Sequence, residues 1–251
     1  MLYNKYMKRI LITIQYDGTN YSGWQKQKNE KTIQGEIENA IFLATGKNIE
    51  IFGSGRTDAG VHALHQTAHF DLDIPIPIEK LPQIINNRLP KDISILSAQE
   101  VDASFHARFD IKQKQYLYKI YQTKEKQPFI ANYFAFVKEK IDIDKMRDCA
   151  SLLIGEHSFK GFCSADTSAT NFVRTIFDID IQNVSENEIH IVVSGSGFLY
   201  NMVRILVGTM IDYSQDKLEL NDVQQALTNG DREKAGQTMP PNGLYLYNTI
   251  Y

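Results

Sequence analysis

The sequence predicts an α+β protein made of two ferredoxin-like, RRM-like halves that share a largely antiparallel sheet, with the active cleft between them. Three observations predict it. Segments of period-two hydrophobic alternation recur along the chain, segments of helical period separate them, and the order strand–helix–strand–strand–helix occurs twice. With 251 residues, 43% of them hydrophobic, there is ample material for a core. The halves are placed at 1–105 and 106–251, with no low-complexity linker at the join and no convincing internal sequence repeat.

In the first half, residues 9–16 alternate, with Ile10, Ile12, Ile14 and Tyr16 on one side and Arg9, Thr13 and Gln15 on the other. That is a half-buried strand. From Thr32 the period becomes helical: Ile33, Ile37, Ala40, Ile41 and Ala44 form one face, Thr32 is the N-cap and Gly46 the stop. Strands follow at 48–53, 66–72 and 92–98, with a short helix around 79–89 whose first turn accommodates Pro82. In the second half, 115–121 alternates through Tyr116, Tyr118 and Ile120. Asp144 caps a helix with face Met146, Ala150 and Leu153 that ends at Gly155. Antiparallel strands follow at 175–182, with Phe177, Ile179 and Ile181 on one face, and at 189–194. A strongly apolar helix is expected over 198–212 and a shorter one near 221–228.

The formal net charge is −3, which speaks against a protein that merely coats nucleic acid but leaves room for a local basic cleft. The two cysteines, Cys149 and Cys163, have no metal or disulfide spacing and read as free thiols of a reducing compartment. The basic, polar N-terminus runs into an apolar stretch too short for a signal peptide or membrane span, so a soluble cytoplasmic protein is expected.

The stretch Gly53-Ser54-Gly55-Arg56-Thr57-Asp58-Ala59-Gly60-Val61-His62 follows a strand and holds three glycines in eight residues, as a tight loop does. Arg56 and Asp58, two apart, can face the same side of extended backbone. An arginine there keeps a carboxylate ionised, as a nucleophile or base requires. The spacing fits neither a P-loop nor a dinucleotide fingerprint. Arg204 lies in the middle of the apolar late helix, where a guanidinium needs an anionic partner; Asp58 is the candidate. Between Phe105 and Lys126, six basic residues, among them Arg108 and Lys124, stand against two acids. Phe105, Phe109, Tyr116, Tyr118 and Tyr121 are interleaved with them. Cations for phosphates beside aromatic faces for unstacked bases suit RNA.

The decapeptide at 53–62 closely resembles the signature loop of the TruA family of tRNA pseudouridine synthases. The resemblance covers nearly the whole chain: Tyr16-Asp17-Gly18-Thr19 with Gly23-Trp24-Gln25, Phe105-His106-Ala107-Arg108-Phe109, Tyr116-x-Tyr118, the run from Gly197 to Arg204, and Gly243-Leu244-Tyr245-Leu246. It implies that Asp58 is the essential aspartate and that Arg56 displaces or holds the target nucleotide. Tyr116 would stack on the uracil, Arg204 would pair with Asp58, and Leu244 would line the pocket. Phe105, His106, Ala107, Arg108, Phe109 and Lys124 would lie along the RNA, as would Ser168, Ala169, Thr170, Asn171 and Phe172. It further implies action at positions 38 to 40 of the tRNA anticodon arm, by a homodimer, with no metal or organic cofactor. Asn201 departs from the family, where histidine is common, as do Gln237 and Met239 within Ala235-Gly236-Gln237-Thr238-Met239-Pro240, where proline and alanine are frequent.

Two rival readings fit the sequence less well. A non-catalytic RNA-binding or RNA-chaperone protein of the same fold explains the basic aromatic face but not an acid placed in an RNA groove. A metal site at His62, His65 and His69 fails because an alternating strand splays the three side chains.

Overall fold

The structure, a computed structural model, describes residues 7–73, 75–166 and 169–251. The chain divides into two compact units. One runs to Lys112 and regains Leu246–Tyr251; the other is Gln113–Tyr245.

The first unit contains β1 (Lys8–Tyr16), α1 (Ile33–Thr45), β2 (Phe52–Gly53), β3 (His62–Leu72), α2 (Leu81–Asn86) and β4 (Ile93–Val101). β1 pairs antiparallel with both β3 and β4, and β2 pairs antiparallel with β3. The order β4-β1-β3-β2 is that of a split βαβ fold. Alternation in β1 buries Ile10, Ile12 and Ile14 completely, and they join Ile33, Ile37 and Ile41 of α1, Phe70 of β3 and Leu81 of α2 in the core. α1 starts and stops as its sequence dictates. The Thr32 side chain accepts from the Gly35 N–H, and Gly46 closes the helix at φ 72°.

Some boundaries differ from expectation. The strand expected at 48–53 contracts to Phe52–Gly53, and β3 begins at His62 rather than 66. The signature loop is therefore a short crossing between two antiparallel neighbours, β2 and β3. The helix near 79–89 is a 3₁₀ turn at Ile78–Lys80 followed by α2.

The second unit contains β5 (Gln113–Gln122), β6 (Ala135–Val137), α3 (Ile143–Leu153), β7 (Gly155–Ser158), β8 (Val173–Asn183), β9 (Glu188–Gly195), α4 (Met202–Ser214) and α5 (Leu220–Asn229). The last strand, β10 (Leu244–Ile250), begins in this unit and ends in the first. The sheet order is β5-β9-β8-β7, with β6 parallel to the end of β5. Tyr118, Ile120, Ile191, Val193, Met146 and Leu153 are buried in its core with most of α4.

Three expectations are corrected here. Asp142, not Asp144, caps α3, accepting from the N–H groups of Asp144 and Lys145. Phe177 is exposed because the β8–β9 register shifts between Ile176 and Asp178, so Ile176 is buried in its place. α4 starts at Met202 rather than 198, because Asn201 adopts left-handed backbone.

Candidate active site and RNA-facing segments

The signature loop is anchored at both ends by main-chain and buried side-chain contacts. Ser54 N–H donates to Thr67 O at 2.8 Å, the Ser54 hydroxyl bonds Gln66 Oε1, and Gln66 Nε2 donates to Gly55 O at 2.8 Å. At the far end His62 is buried, its Nδ1 3.0 Å from Gly18 N and 3.2 Å from an Asp17 carboxylate oxygen.

Between these anchors the loop is held by residues 16–24. Trp24 N–H donates to Thr57 O at 3.0 Å, the Tyr16 and Thr57 hydroxyls are 2.8 Å apart, and Gly60 N–H donates to Tyr21 O at 3.3 Å. Burial pushes the Tyr16 hydroxyl pKa up, so it stays protonated. Two glycines make the fit possible. A Cβ on Gly18 would lie 1.9 Å from Val61 O, and one on Gly23, at φ +85°, would lie 2.6 Å from Thr57 O. Thr57 is thus buried and fixed between two residues that are not: Arg56 is exposed and Asp58 half-buried. Because Thr57 is held on both its hydroxyl and its carbonyl, the backbone that carries Arg56 and Asp58 is held with it.

The 105–109 segment is pinned just as closely. Arg9 forms a two-pronged pair with Asp71, at 2.8 and 2.9 Å, and donates to Phe105 O at 2.9 Å. His69 Nδ1 accepts from Ala107 N–H at 3.1 Å, and the Tyr251 hydroxyl donates to Ala107 O at 2.9 Å. Ala107 is fully buried, so its part is structural, whereas Arg108 and Phe109 face solvent. The rings of Phe52, His69, His106 and Phe109 form a ladder with centroid spacings of 5.2, 4.6 and 4.2 Å. Burial, then the neighbouring His106 and Arg9, depresses the His69 pKa to about 4, so its ring is neutral and free to accept from Ala107.

In the second unit, Tyr116 is buried edge-to-face against Phe198, with centroids 5.1 Å apart, and Leu244 is buried at the start of β10. Arg204 is half-buried. Its Nε donates to Met239 O at 2.5 Å and its Nη1 to Asn201 Oδ1 at 2.7 Å, while Met239 N–H donates back to Arg204 O at 3.3 Å.

A strap over residues 232–240 supplies this cradle. Arg232 donates to the carbonyls of Ala235 and Gly236 and to Thr238 Oγ1, Asp212 accepts from both the N–H and side chain of Gln237, and the Tyr118 hydroxyl donates to Pro240 O. Of the other RNA-facing candidates, Lys124, Thr170 and Asn171 are exposed, Ala169 and Phe172 are half-buried, and Ser168 lies outside the described residues. Asn171 Oδ1 accepts from Val173 N–H at 2.8 Å, shaping the turn into β8.

Sequence reasoning missed Tyr251 and Asp212, considered His69 only as a metal ligand, and noted Asn201 only as a departure from the family. One signal was visible: Asn201 precedes Arg204 by three residues, the spacing at which helical neighbours meet. The others act across long sequence separations that no local pattern carries.

The family model of tRNA pseudouridine synthases aligns with residues 12–110 and 149–251, and this chain belongs to that family. Among its relatives, the tRNA pseudouridine synthase A of Caldicellulosiruptor bescii is 46% identical over 98% of this chain and 100% of its own length. The enzyme of the same name from Brevibacillus brevis is 44% identical, again over 98% and 100%. That of Bacillus pumilus is 41% identical over 97% of this chain and 99% of its own.

Proposed function

We propose that this protein isomerises uridine to pseudouridine in tRNA, at positions 38 to 40 of the anticodon stem-loop, with Asp58 as the catalytic carboxylate. Membership of the tRNA pseudouridine synthase family supports the reaction and the substrate. The observation that carries the residue assignment is the clamped Thr57, which fixes Asp58 and Arg56 on a rigid, partly exposed loop.

The reaction breaks the bond from uracil N1 to ribose C1′, turns the base, and rejoins it through C5; C5 gives up its proton and N1 takes one, so the product is an isomer of the substrate. The base must first leave the helical stack, at a cost of a few kcal/mol. A carboxylate serves by attacking C1′, by adding to C6, or by removing the 2′ proton. Each route needs Asp58 ionised and shielded from water. In this reading Arg56 holds the displaced nucleotide, Tyr116 stacks on the uracil, Arg204 supplies the charge that keeps Asp58 ionised, and Leu244 lines the pocket. Arg108, Phe109 and Lys124 meet the RNA, with Phe105, His106 and Ala107 fixing that segment. The segment Ser168, Ala169, Thr170, Asn171 and Phe172 forms a second RNA contact. A homodimer belongs to the same reading and rests on the family resemblance, and a cytoplasmic location rests on the reading of the N-terminal segment and the cysteines; no helix among the described residues is long and apolar enough to cross a membrane.

The test is position mapping. Unmodified tRNAs carrying a single anticodon-arm uridine at 38, 39 or 40 are incubated with the protein and sequenced for pseudouridine. Conversion at these positions and not at uridines elsewhere supports the proposal; conversion only outside the anticodon arm overturns the substrate assignment.

A further inference from the structure

Asn201 stands at the start of α4 without acting as a helix cap. An N-cap residue normally has extended backbone and lends its side-chain oxygen to the N–H groups of the first turn. Asn201 instead has φ 59° and ψ 6°, and no side-chain cap bond is made. Among the described residues, the only other non-glycine positions with positive φ are Asn29 and Asp216. Left-handed backbone is unfavourable for a residue with a Cβ and persists where the surroundings enforce it.

The side chain is used elsewhere. Its Oδ1 accepts from Arg204 Nη1 at 2.7 Å, and its Nδ2 donates to Ser164 Oγ at 2.8 Å. Chemistry fixes the amide orientation, because a guanidinium can only donate and must face the carbonyl oxygen. The same turn is tied to the loop before β8 a second time, by the Ser164 N–H to Tyr200 O bond of 3.3 Å. Met239 O takes the Arg204 Nε–H. Neither of these two acceptors carries a charge. They fix the plane of the guanidinium without cancelling its positive charge, which a carboxylate in the same place would do.

We infer that Asn201 is a positioning residue for the isomerisation, holding the Arg204 guanidinium in its working orientation through its carboxamide at the expense of a strained backbone. The inference rests on the proposed function, in which Arg204 acts on the catalytic carboxylate. It predicts that stability and activity separate at this position. Glycine adopts left-handed backbone freely but has no carboxamide.

The experiment compares wild type, Asn201→Gly and Asn201→Asp for kcat, KM and thermal midpoint. It adds a spectrum of protein labelled with ¹⁵N-arginine, in which a clamped guanidinium shows restricted Nη rotation. Expected for Asn201→Gly are an unchanged or raised thermal midpoint, an unchanged KM, a kcat lower by about tenfold to a hundredfold, and free Nη rotation at Arg204. Asn201→Asp keeps the clamp but places a negative charge on the guanidinium, so kcat falls while the restricted Nη signal remains. Wild-type kcat in the Gly variant, or kcat and thermal midpoint falling together, would overturn the inference. If the wild-type protein forms no pseudouridine, the functional reading fails on its own. The arginine spectrum then decides the inference: an unaltered Arg204 signal in Asn201→Gly overturns it.

Discussion

His69 ties acid sensitivity to the segment 105–109, which the proposed function places along the RNA. Its ring is 3% exposed, and burial, reinforced by His106 and Arg9, lowers its pKa from 6.5 to about 4. In the folded protein Nδ1 must stay unprotonated to accept from Ala107 N–H. A folded pKa below the unfolded one means that the unfolded chain binds the extra proton first. The stabilisation is therefore complete above pH 6.5 and drains away as pH falls toward 4. The whole displacement corresponds to about 3.4 kcal/mol at most, of which roughly 2.5 kcal/mol is gone by pH 4.5.

Carboxylates titrate in the lower part of that window too, so the perturbation has to isolate the imidazole. His69→Gln keeps an oxygen acceptor for Ala107 and removes the titration. Urea unfolding at pH 7 and pH 4.5 should show wild type losing about 2 kcal/mol more than the Gln variant. RNA affinity should weaken with acid in wild type and less so in the variant, since Ala107 lies between Arg108 and His106. Equal losses in the two proteins would refute the reasoning, because His69 would then carry no proton-linked stability.

Three further outcomes test the site and its support. Gly23→Ala introduces a Cβ 2.6 Å from Thr57 O at φ +85°; circular dichroism melts should show a loss of about 2 kcal/mol or more, and turnover should fall with it. Tyr116→Phe should keep RNA affinity, because the aromatic face remains, whereas Tyr116→Leu should weaken it by about tenfold in a filter-binding assay. Thr32→Ala removes only the cap of α1, so it should cost about 1 kcal/mol in urea unfolding while leaving kcat and KM unchanged.

Much of the fold was legible because burial imposes a period. Ile10, Ile12 and Ile14 had to face a core, and Thr32 with Gly46 bracketed α1. Legibility failed where local pattern and tertiary context diverge. Phe198 and Leu199 continue the apolar run of α4, yet Asn201 breaks the helix to reach Arg204 and Ser164. Phe177 continues the alternation of β8, yet a bulge turns it to solvent. Asp142 and Asp144 are equally good caps by composition, and only the position of the first turn decides between them. At the site, the glycines and the Arg-Thr-Asp triplet announced a specialised loop. What fixes it, Tyr16 on Thr57 and Trp24 on the Thr57 carbonyl, acts between residues more than thirty positions apart.

The most direct test of the account is pseudouridine formation in unmodified tRNA by wild type beside Asp58→Asn, with tRNA binding measured for both. Pseudouridine is expected with wild type alone, with similar binding by the two proteins, since the substitution changes one carboxylate to an isosteric amide. Turnover by the Asn variant would contradict the assignment of Asp58. Binding without turnover by wild type would contradict the enzyme reading and leave a protein that only holds RNA.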